Sequence, residues 1–376
     1  MRKISVEQLI GYLLPTALVI HALDTSSFAP EHGRSAVKLI SLCIISVCFG
    51  LILTSPHGRR ISRRNLAQII IICSCFFCIF VLPEMRYSQY DVIYQLAKIL
   101  GTFMMLWTLM VSPKITDQVL NTMLNYGLVL AVVAIYSLFF PFTSNEKIPI
   151  LNLVSSRSLL FEQNVFGIYM FFCFMYFLRY RASSIKTATF LASIFSSFYR
   201  TVWALAFLGF VSNSKTLYVF VVASITSIAI ILNFDLVFEA FKLSQVKNLT
   251  GRVDLWEIGL IGFYESPLIG HGFSQIPDYS NVYLNRSPPY TTFHNAIIDS
   301  LFVSGVIGGM AFLVLFLMFI YMVGRQNWFF GPLLLAPMLF NTFFPFSPNI
   351  LGGFIAAYAI NIYQIRFFNK PQPITL

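Results

Sequence analysis

Charged side chains are scarce in this sequence. Only 11% of its 376 residues are Asp, Glu, Lys or Arg, while 57% are hydrophobic and the mean hydropathy is +0.75. A soluble domain usually has about 25% charged residues, so this composition excludes a soluble globular protein. Apolar runs of roughly 16–24 residues recur along the chain, the length that a helix needs to cross a bilayer. We therefore expect an all-α polytopic membrane protein.

Motifs for metals, nucleotides and nucleic acids are missing as well. The six cysteines all lie in apolar runs, and Cys75 and Cys78 have no second pair or nearby histidine to complete a metal site. Neither a Walker loop nor a dinucleotide-binding glycine pattern occurs. The net charge of +10 needs no nucleic acid, because cytoplasmic loops of membrane proteins collect Lys and Arg. We expect no metal, no cofactor and no nucleic-acid partner.

Basic loops orient the predicted membrane spans. The loop SPHGRRISRRN at 55–65 has four arginines, and RYRASSIK at 179–186 is also basic, so both are assigned to the cytoplasm. Counting from these loops places both termini in the cytoplasm and the polar stretch 235–293 outside. The predicted spans are 8–23, 39–54, 66–82, 92–111, 119–140, 165–178, 216–232, 296–323, 328–344 and 350–365.

The segment Thr187–Ser212 has two readings. It is either one span with Arg200 near its middle or two short helices that meet at SSFYR. The stretch 235–293 is outside only if both ends of this segment are cytoplasmic, so the count favours the hairpin, with Arg200 at its outer tip. Twelve membrane segments follow. The chain then divides into transmembrane helices over 1–234, a large periplasmic loop over 235–295 and C-terminal transmembrane helices over 296–376.

The periplasmic loop contains a predicted amphipathic helix. We expect Thr250 to be its N-cap, the helix to cover GRVDLWEIGLIGFYE, and Pro267 to follow its end. Its apolar and aromatic residues Trp256, Ile258, Phe263 and Tyr264 suit a helix lying on the outer leaflet. An alternative is a lid-like packing element in which Arg252 pairs with Asp254 or Glu257. Gly270 and Gly272 indicate a tight turn after the helix.

Two residue types near the outer face could carry chemistry. An arginine in an apolar segment costs about 2.5–3.5 kcal/mol or more, so Arg200 either pairs with Glu162 or Asp254 or binds a phosphate or pyrophosphate. His294 lies where the loop meets the next span. It is either a structural interface residue or a general base, and Asn295 could orient it or contact a hydroxyl group.

Four blocks resemble the superfamily of O-antigen ligases and polysaccharide polymerases of bacterial inner membranes. The block SSFYRTVWALAFLGF resembles its S-R-x-x-W/L-A pattern, although Tyr199 stands where the family usually has serine. LTGRVDLW with ESPLIGHGF resembles its GR…W…P-x-x-G-x-G pattern. FHNAIIDSLFVSGVIGG resembles its HN…G-x-x-G pattern, and FEQNVFGIYM resembles its block with Asn just before a span. Together the four blocks cover residues 161–309 in the family's order.

The resemblance implies a GT-C-like, metal-independent, inverting glycosyltransferase that works at the periplasmic face of the inner membrane. Its donor would be an oligosaccharide on undecaprenyl pyrophosphate. Arg200 and Arg252 would hold the pyrophosphate and His294 would deprotonate the acceptor hydroxyl. The substrate-binding candidates are Arg157, Asn164, Asp254, Trp256 and Asn295.

Three functions stay open on this basis. The run TGRVDLW and the compact link from it to the His-Asn pair favour a polymerase, which passes the growing glycan to another lipid-linked repeat unit. A ligase would pass the glycan to the lipid A core instead. A transporter of lipid-linked oligosaccharide would need midplane ionisable groups and inverted repeats, which the sequence lacks. Expected partners are the lipid-linked oligosaccharide and membrane lipids, with a chain-length regulator and a flippase as candidate protein partners.

Overall fold

The computed structural model describes residues 5–21, 32–55, 61–86, 89–139, 163–180, 183–197, 200–213, 247–284, 292–324, 330–339, 341 and 343–368. All the secondary structure in these ranges is helical, so the predicted all-α class is confirmed. The α-helices are α1 Val6–His21, α2 His32–Thr54, α3 Arg63–Phe76, α4 Gln89–Val111, α5 Pro113–Phe139, α6 Gln163–Tyr180, α7 Ser184–Ser196, α8 Arg200–Asn213, α9 Lys247–Glu265, α10 Ile276–Leu284, α11 Ala296–Val323, α12 Phe330–Leu335 and α13 Ile350–Phe368. A π-helical turn, Phe77–Val81, continues α3, and 3₁₀ turns cover Glu84–Arg86, Phe273–Gln275 and Ala336–Leu339.

The described helices make the chain a multi-pass membrane protein. Five segments are long and apolar enough to cross a bilayer: Val37–Thr54, Arg63–Val81, Asp91–Val111, Pro113–Tyr136 and Ala296–Val323. Shorter apolar helices cover Val6–His21, Asn164–Tyr180, Ser184–Phe195 and Ile350–Ile365. The predicted span 216–232 lies outside the described residues, and the count of twelve stays a prediction.

The segment predicted as a crossing over 328–344 differs from a continuous helix. Helix α12 ends at Leu335, the 3₁₀ turn Ala336–Leu339 follows, and the described residues from there to α13 form turns and bends. Pro337 lies in the 3₁₀ turn and Pro345 in the turns after it. Proline has no N–H to donate and its ring crowds the preceding turn, which ends regular helix here.

The predicted break between two helices in 187–212 is confirmed. Helix α7 ends at Ser196 and α8 begins at Arg200. The indole N–H of Trp203 donates to the carbonyl of Ile194 at 2.9 Å, and the rings of Phe195 and Trp203 lie 5.4 Å apart. The first turn of α8 is therefore tied to the last turn of α7. That Arg200 lies at the periplasmic face stays a prediction.

Helix α6 lies at the centre of a group of helices that includes α7 and α8. The side chains of Phe166, Phe171, Phe172 and Phe174 are at most 1% exposed. A helix that is apolar all round is buried on all sides, and α6 packs against α5, α7, α8 and α13. It thus provides a fixed support for the two short helices that flank Arg200.

Candidate functional site

Helix α11 is interrupted near the end that carries the His-Asn pair. Gly305 has φ 59° and ψ −151°, which is not helical. This region of backbone space is accessible essentially to glycine alone. The break separates a first segment, 296–304, from a second segment, 306–323, and frees backbone groups that a continuous helix would pair.

The chain between α9 and α10 takes up these freed groups. The N–H groups of His271 and Gly272 donate to the carbonyls of Phe302 and Val303, each at 2.9 Å. In the opposite direction, the N–H of Val306 donates to the carbonyl of Pro267 at 2.7 Å. Irregular backbone at membrane depth is tolerated only where protein or water satisfies it. The segment 267–275, which we call the insert, satisfies the break in α11.

The predicted tight turn at the two glycines is confirmed. Gly270 and Gly272 have φ values of 73° and 79°, in the left-handed region that favours glycine. A Cβ on Gly270 would also overlap the backbone of Val303 and Ser304. Glycine is required here because the insert approaches α11 backbone to backbone.

A buried carboxylate holds the far end of the insert. Glu84 is fully buried, and its Oε1 accepts from the N–H groups of Phe273 at 2.5 Å and Ser274 at 3.1 Å. Its Oε2 accepts from the Ser274 hydroxyl at 2.9 Å. Nearby, the Ser304 hydroxyl donates to the carbonyl of Ile79, in the π-helical turn, at 2.5 Å. The two turns that follow α3 thereby fix both the insert and the break in α11.

His294 lies at the start of α11 in an uncommon backbone conformation. Its φ is 54°, one of two positive values among the described non-glycine residues. On one side, the Phe293 N–H donates to the buried Asp299 Oδ1 at 2.8 Å. On the other, Asn295 caps α11, with its Oδ1 accepting from the N–H groups of Ile297 at 3.0 Å and Ile298 at 3.2 Å. Non-glycine residues with positive φ persist only where their surroundings hold them, and they cluster at functional sites.

Helix α9 supports the same corner. The indole N–H of Trp256 donates to the carbonyl of Phe293 at 3.1 Å. Leu255 and Ile258 are buried, and a Cβ on Gly259 would meet the side chains of Ile298 and Phe293. One face of α9 is thus packed closely on the first segment of α11.

Two expectations for α9 need correction. The helix begins at Lys247, so Thr250 lies inside it and is not the N-cap. Ile258 was predicted to face the membrane, but it is only 4% exposed because it packs towards α11. Tyr264, assigned to the same surface, is 76% exposed. The predicted end before Pro267 is confirmed, since the helix ends at Glu265.

His271 has a structural environment. Its Nε2 donates to the carbonyl of Gly262 at 2.9 Å, since a carbonyl can only accept. Its ring packs against those of Tyr279 and Phe302, with centroids 5.0 and 5.2 Å away. The Tyr279 hydroxyl donates to Glu265. This cluster joins α9, the insert, α10 and α11 into one unit.

The structure brings together three of the predicted site residues: Trp256, His294 and Asn295. Asp254 is exposed on α9, and Asn164 is half-buried in the first turn of α6. Arg252 lies one turn before Trp256 in α9, and Arg200 is the first residue of α8; the side chains of both lie outside the described residues. Arg157 lies outside them altogether. No group of three or more His, Cys, Asp or Glu side chains among the described residues is arranged to hold a metal ion.

Sequence reasoning missed three residues that shape the site. Asp299 and Glu84 are charged side chains without an obvious partner in the sequence, and both are fully buried as acceptors for backbone N–H groups. Gly305 belongs to the glycine pattern after the His-Asn pair, but its role as a helix break was not predicted. The signal available in the sequence is a carboxylate within an otherwise apolar segment. Such a charge needs hydrogen-bond donors when it is buried, so it indicates a structural contact.

The comparison with protein families agrees with these observations. Residues 132–313 match the family described as O-antigen ligase, and this range contains all four sequence blocks, α9, the insert and the His294 corner. Comparison with curated proteins finds no match. Residues 132–313, just under half of the chain, are therefore similar to the O-antigen ligase family, which belongs to the superfamily of O-antigen ligases and polymerases. Members of that family are glycosyltransferase-like enzymes that act on lipid-linked glycans at a membrane.

Proposed function

We propose that the chain is a polysaccharide polymerase that transfers an undecaprenyl-pyrophosphate-linked glycan to another lipid-linked repeat unit at the periplasmic face. The observation that carries this proposal is the fixed backbone of His294. Its two neighbours are held by Asp299 and by the capping of α11, and Trp256 of α9 bonds the Phe293 carbonyl. A proton acceptor held in one place is what a direct displacement requires.

The proposed reaction is a single displacement with inversion. The imidazole of His294 takes the proton from an acceptor hydroxyl, and the oxygen forms a bond to the anomeric carbon of the donor. The bond from that carbon to the pyrophosphate oxygen breaks, and the pyrophosphate leaves with the electron pair. Arg252 and Arg200 stabilise the charge of the leaving group, because guanidinium groups bind phosphate oxygens bidentately.

The helix that carries Arg252 also holds the base. Arg252 precedes Trp256 by one turn of α9, and the Trp256 indole bonds the Phe293 carbonyl beside His294. Donor binding by Arg252 and proton transfer by His294 are therefore linked through one helix–loop contact. In this proposal the donor site and the base lie on α9 and at the start of α11, which are in direct contact, as a positioned reaction requires.

A ligase is the second candidate, and the family match is consistent with both activities. The two activities share the donor and the proposed chemistry, and they differ in the acceptor. Deletion of the gene in its host separates them. Surface glycan limited to one repeat unit indicates a polymerase, whereas long glycan retained on the carrier lipid with uncapped lipid A core indicates a ligase.

Point variants in the complemented deletion strain test the site. We expect His294→Ala to lower transfer by about 10²–10⁴-fold through loss of the base, and Arg252→Ala to lower it by about 10²–10³-fold through loss of charge stabilisation. Arg86→Ala, an exposed arginine of the 3₁₀ turn Glu84–Arg86, is the matched control and should retain long-chain glycan. Near-normal chain growth in either site variant, at equal membrane abundance, would contradict the assignment.

A further inference from the structure

Two lysines from different helices meet at the end of the bundle that also holds the insert. They are Lys38 in α2 and Lys98 in α4, and their Nζ atoms lie over the same ring, that of Tyr94. We call these two lysines the basic patch.

Aromatic rings line the patch. The Nζ atoms of Lys38 and Lys98 lie 5.2 and 4.5 Å from the ring centroid of Tyr94. Lys98 Nζ is also 5.4 Å from the centroid of Phe80. Ring faces attract cations but carry no net negative charge, so they hold the two ammonium groups in place without neutralising them.

Neither lysine of the patch forms an ion pair with the carboxylates that lie nearby. Glu84 and Asp91 act on Lys98 electrostatically, but the oxygens of Glu84 accept hydrogen bonds from Phe273 and Ser274. Within the described part of the chain, neither lysine has a carboxylate at salt-bridge distance. Two ammonium groups held close together in an apolar region repel each other, and a bound anion would offset that repulsion.

A second observation points to a polar ligand. Gln95 precedes Lys98 by almost one turn of α4, is 5% exposed, and its Oε1 is buried with no hydrogen-bond partner among the described residues. Buried polar groups are nearly always paired. An amide can present either its oxygen or its NH₂ group, so Gln95 can bond a ligand with acidic or hydroxyl groups.

The patch is separate from the His294 corner. Lys98 lies on Phe80, which stacks on Phe273 of the insert with centroids 5.5 Å apart. The insert joins α11 at Val303, nine residues after His294, which corresponds to roughly 13 Å along the helix. The patch thus lies behind the insert, at the level of the break in α11.

We propose that the basic patch binds the phosphate head group of a second lipid, at the same membrane face as His294. This proposal rests on the proposed polymerase function in one respect: such an enzyme has two lipid-linked substrates, and the acceptor's diphosphate needs a site of its own. Phosphate is the shared chemistry, and an anionic phospholipid of the bilayer could also supply it.

The location of the patch favours a lipid over a free phosphate ion. Lys38 and Lys98 both lie within segments long and apolar enough to span the membrane. A phosphate carried on a membrane-embedded chain is already held at about this depth, whereas a free ion would have to be dehydrated to reach it. Both lysines lie before residue 132, outside the family match, so the site belongs to the part of the chain that the family match does not describe.

Lipid titration of the full chain in nanodiscs of neutral lipid tests the proposal. The probes are undecaprenyl diphosphate and phosphatidylglycerol, and bound lipids are counted by native mass spectrometry. In an Arg252→Ala background, which weakens the proposed donor site, Lys38→Gln with Lys98→Gln should lower affinity for one of the probes by about tenfold or more, from the loss of two charge-assisted contacts. Lys98→Arg should retain binding.

Lys186→Gln provides the matched control, because Lys186 Nζ also lies over a ring, 5.5 Å from the centroid of Phe177 in α6. Loss of undecaprenyl diphosphate binding alone supports the patch as a substrate site. Loss of phosphatidylglycerol binding supports it as a phospholipid site. Unchanged affinity for both probes would overturn the proposal. Lipid binding is measured without turnover. Failure of the lipid-site proposal can therefore be distinguished from failure of the proposed catalytic role of His294, which is tested by activity.

Discussion

The two segments of α11 on either side of Gly305 have opposite surroundings. Before the glycine, the buried side chains include Asp299, Ser300 and Ser304, and the backbone is tied to the insert. After it, large apolar side chains are 38–57% exposed: Val306, Ile307, Met310, Leu313, Val314 and Leu317. The first segment therefore buries polar groups against the protein, whereas one face of the second segment is apolar and exposed, as expected for a span that contacts lipid.

This difference shows how one helix could serve both the membrane and the proposed reaction. The 28 residues of α11 would extend about 42 Å as a continuous helix, more than the roughly 30 Å of hydrocarbon. Because the helix is broken at Gly305, the first segment of α11 need not lie in the hydrocarbon and instead packs against α9 and the insert. His294 therefore stands on a segment whose position is set by protein contacts and not by the bilayer.

Removing the glycine at the break should have the largest effect. Gly305→Ala places a Cβ 2.5 Å from the Pro267 carbonyl oxygen at a φ of 59°, so both the backbone conformation and the contact with the insert are lost. We expect a cost of about 3 kcal/mol or more in the free energy of unfolding. Thermal unfolding of the purified protein in detergent, with size-exclusion chromatography for the folded yield, measures it.

Gly309→Ala is the matched control in the second segment. Its Cβ would meet only the end of the flexible Leu301 side chain, and alanine favours a helix by up to about 1 kcal/mol. We expect unchanged or slightly raised stability. The prediction is contradicted if the two variants have midpoints of thermal unfolding within about 2 °C of each other. The break in α11 would then not be needed for stability.

Asp299 should have the next largest effect, mainly on the rate of transfer. Asp299→Ala leaves the Phe293 N–H buried without this acceptor, at a cost of about 1–3 kcal/mol, and loosens the chain beside His294. We expect kcat to fall by about 10–100-fold with little change in KM, since a change of about 1.4 kcal/mol is tenfold. Assays with lipid-linked repeat units measure both parameters.

Two further variants separate positioning from general damage. Asp299→Asn keeps a side-chain oxygen for the Phe293 N–H and should restore most of the rate. Ser300→Ala removes a neighbouring buried hydroxyl that donates to the Ile297 carbonyl within the same helix, and should leave kcat within a few-fold. Equal losses in Asp299→Ala and Asp299→Asn would contradict a positioning role through this hydrogen bond.

Much of the fold and some of the site follow from local sequence rules. The length and hydropathy of apolar runs predict the long spans, the polar SSFYR block predicts the break between α7 and α8, and Pro267 predicts the end of α9. Gly270 and Gly272 predict a turn because glycine readily adopts positive φ. These features depend on residues that are neighbours in the chain.

The features that were missed depend on residues far apart in the chain. Glu84 bonds residues 189 and 190 positions away, and Gly305 is non-helical because the insert supplies its neighbours with partners. Thr250 is a residue type that favours the N-cap position, yet α9 begins at Lys247 and Thr250 lies inside the helix. No local pattern specifies such pairings.

The smallest of the expected effects tests how tightly α9 is coupled to the first segment of α11. Trp256→Phe keeps an aromatic ring but removes the N–H that donates to the Phe293 carbonyl, a loss of about 0.5–1.5 kcal/mol. We expect transfer to slow by roughly 2–10-fold. Trp107→Phe in α4, where the indole packs against Phe49 and Phe103, is the control and should leave the rate unchanged. If both variants transfer at the wild-type rate, the link from α9 to His294 does not contribute to catalysis, and the first segment of α11 holds the base through Asp299 and Asn295 alone.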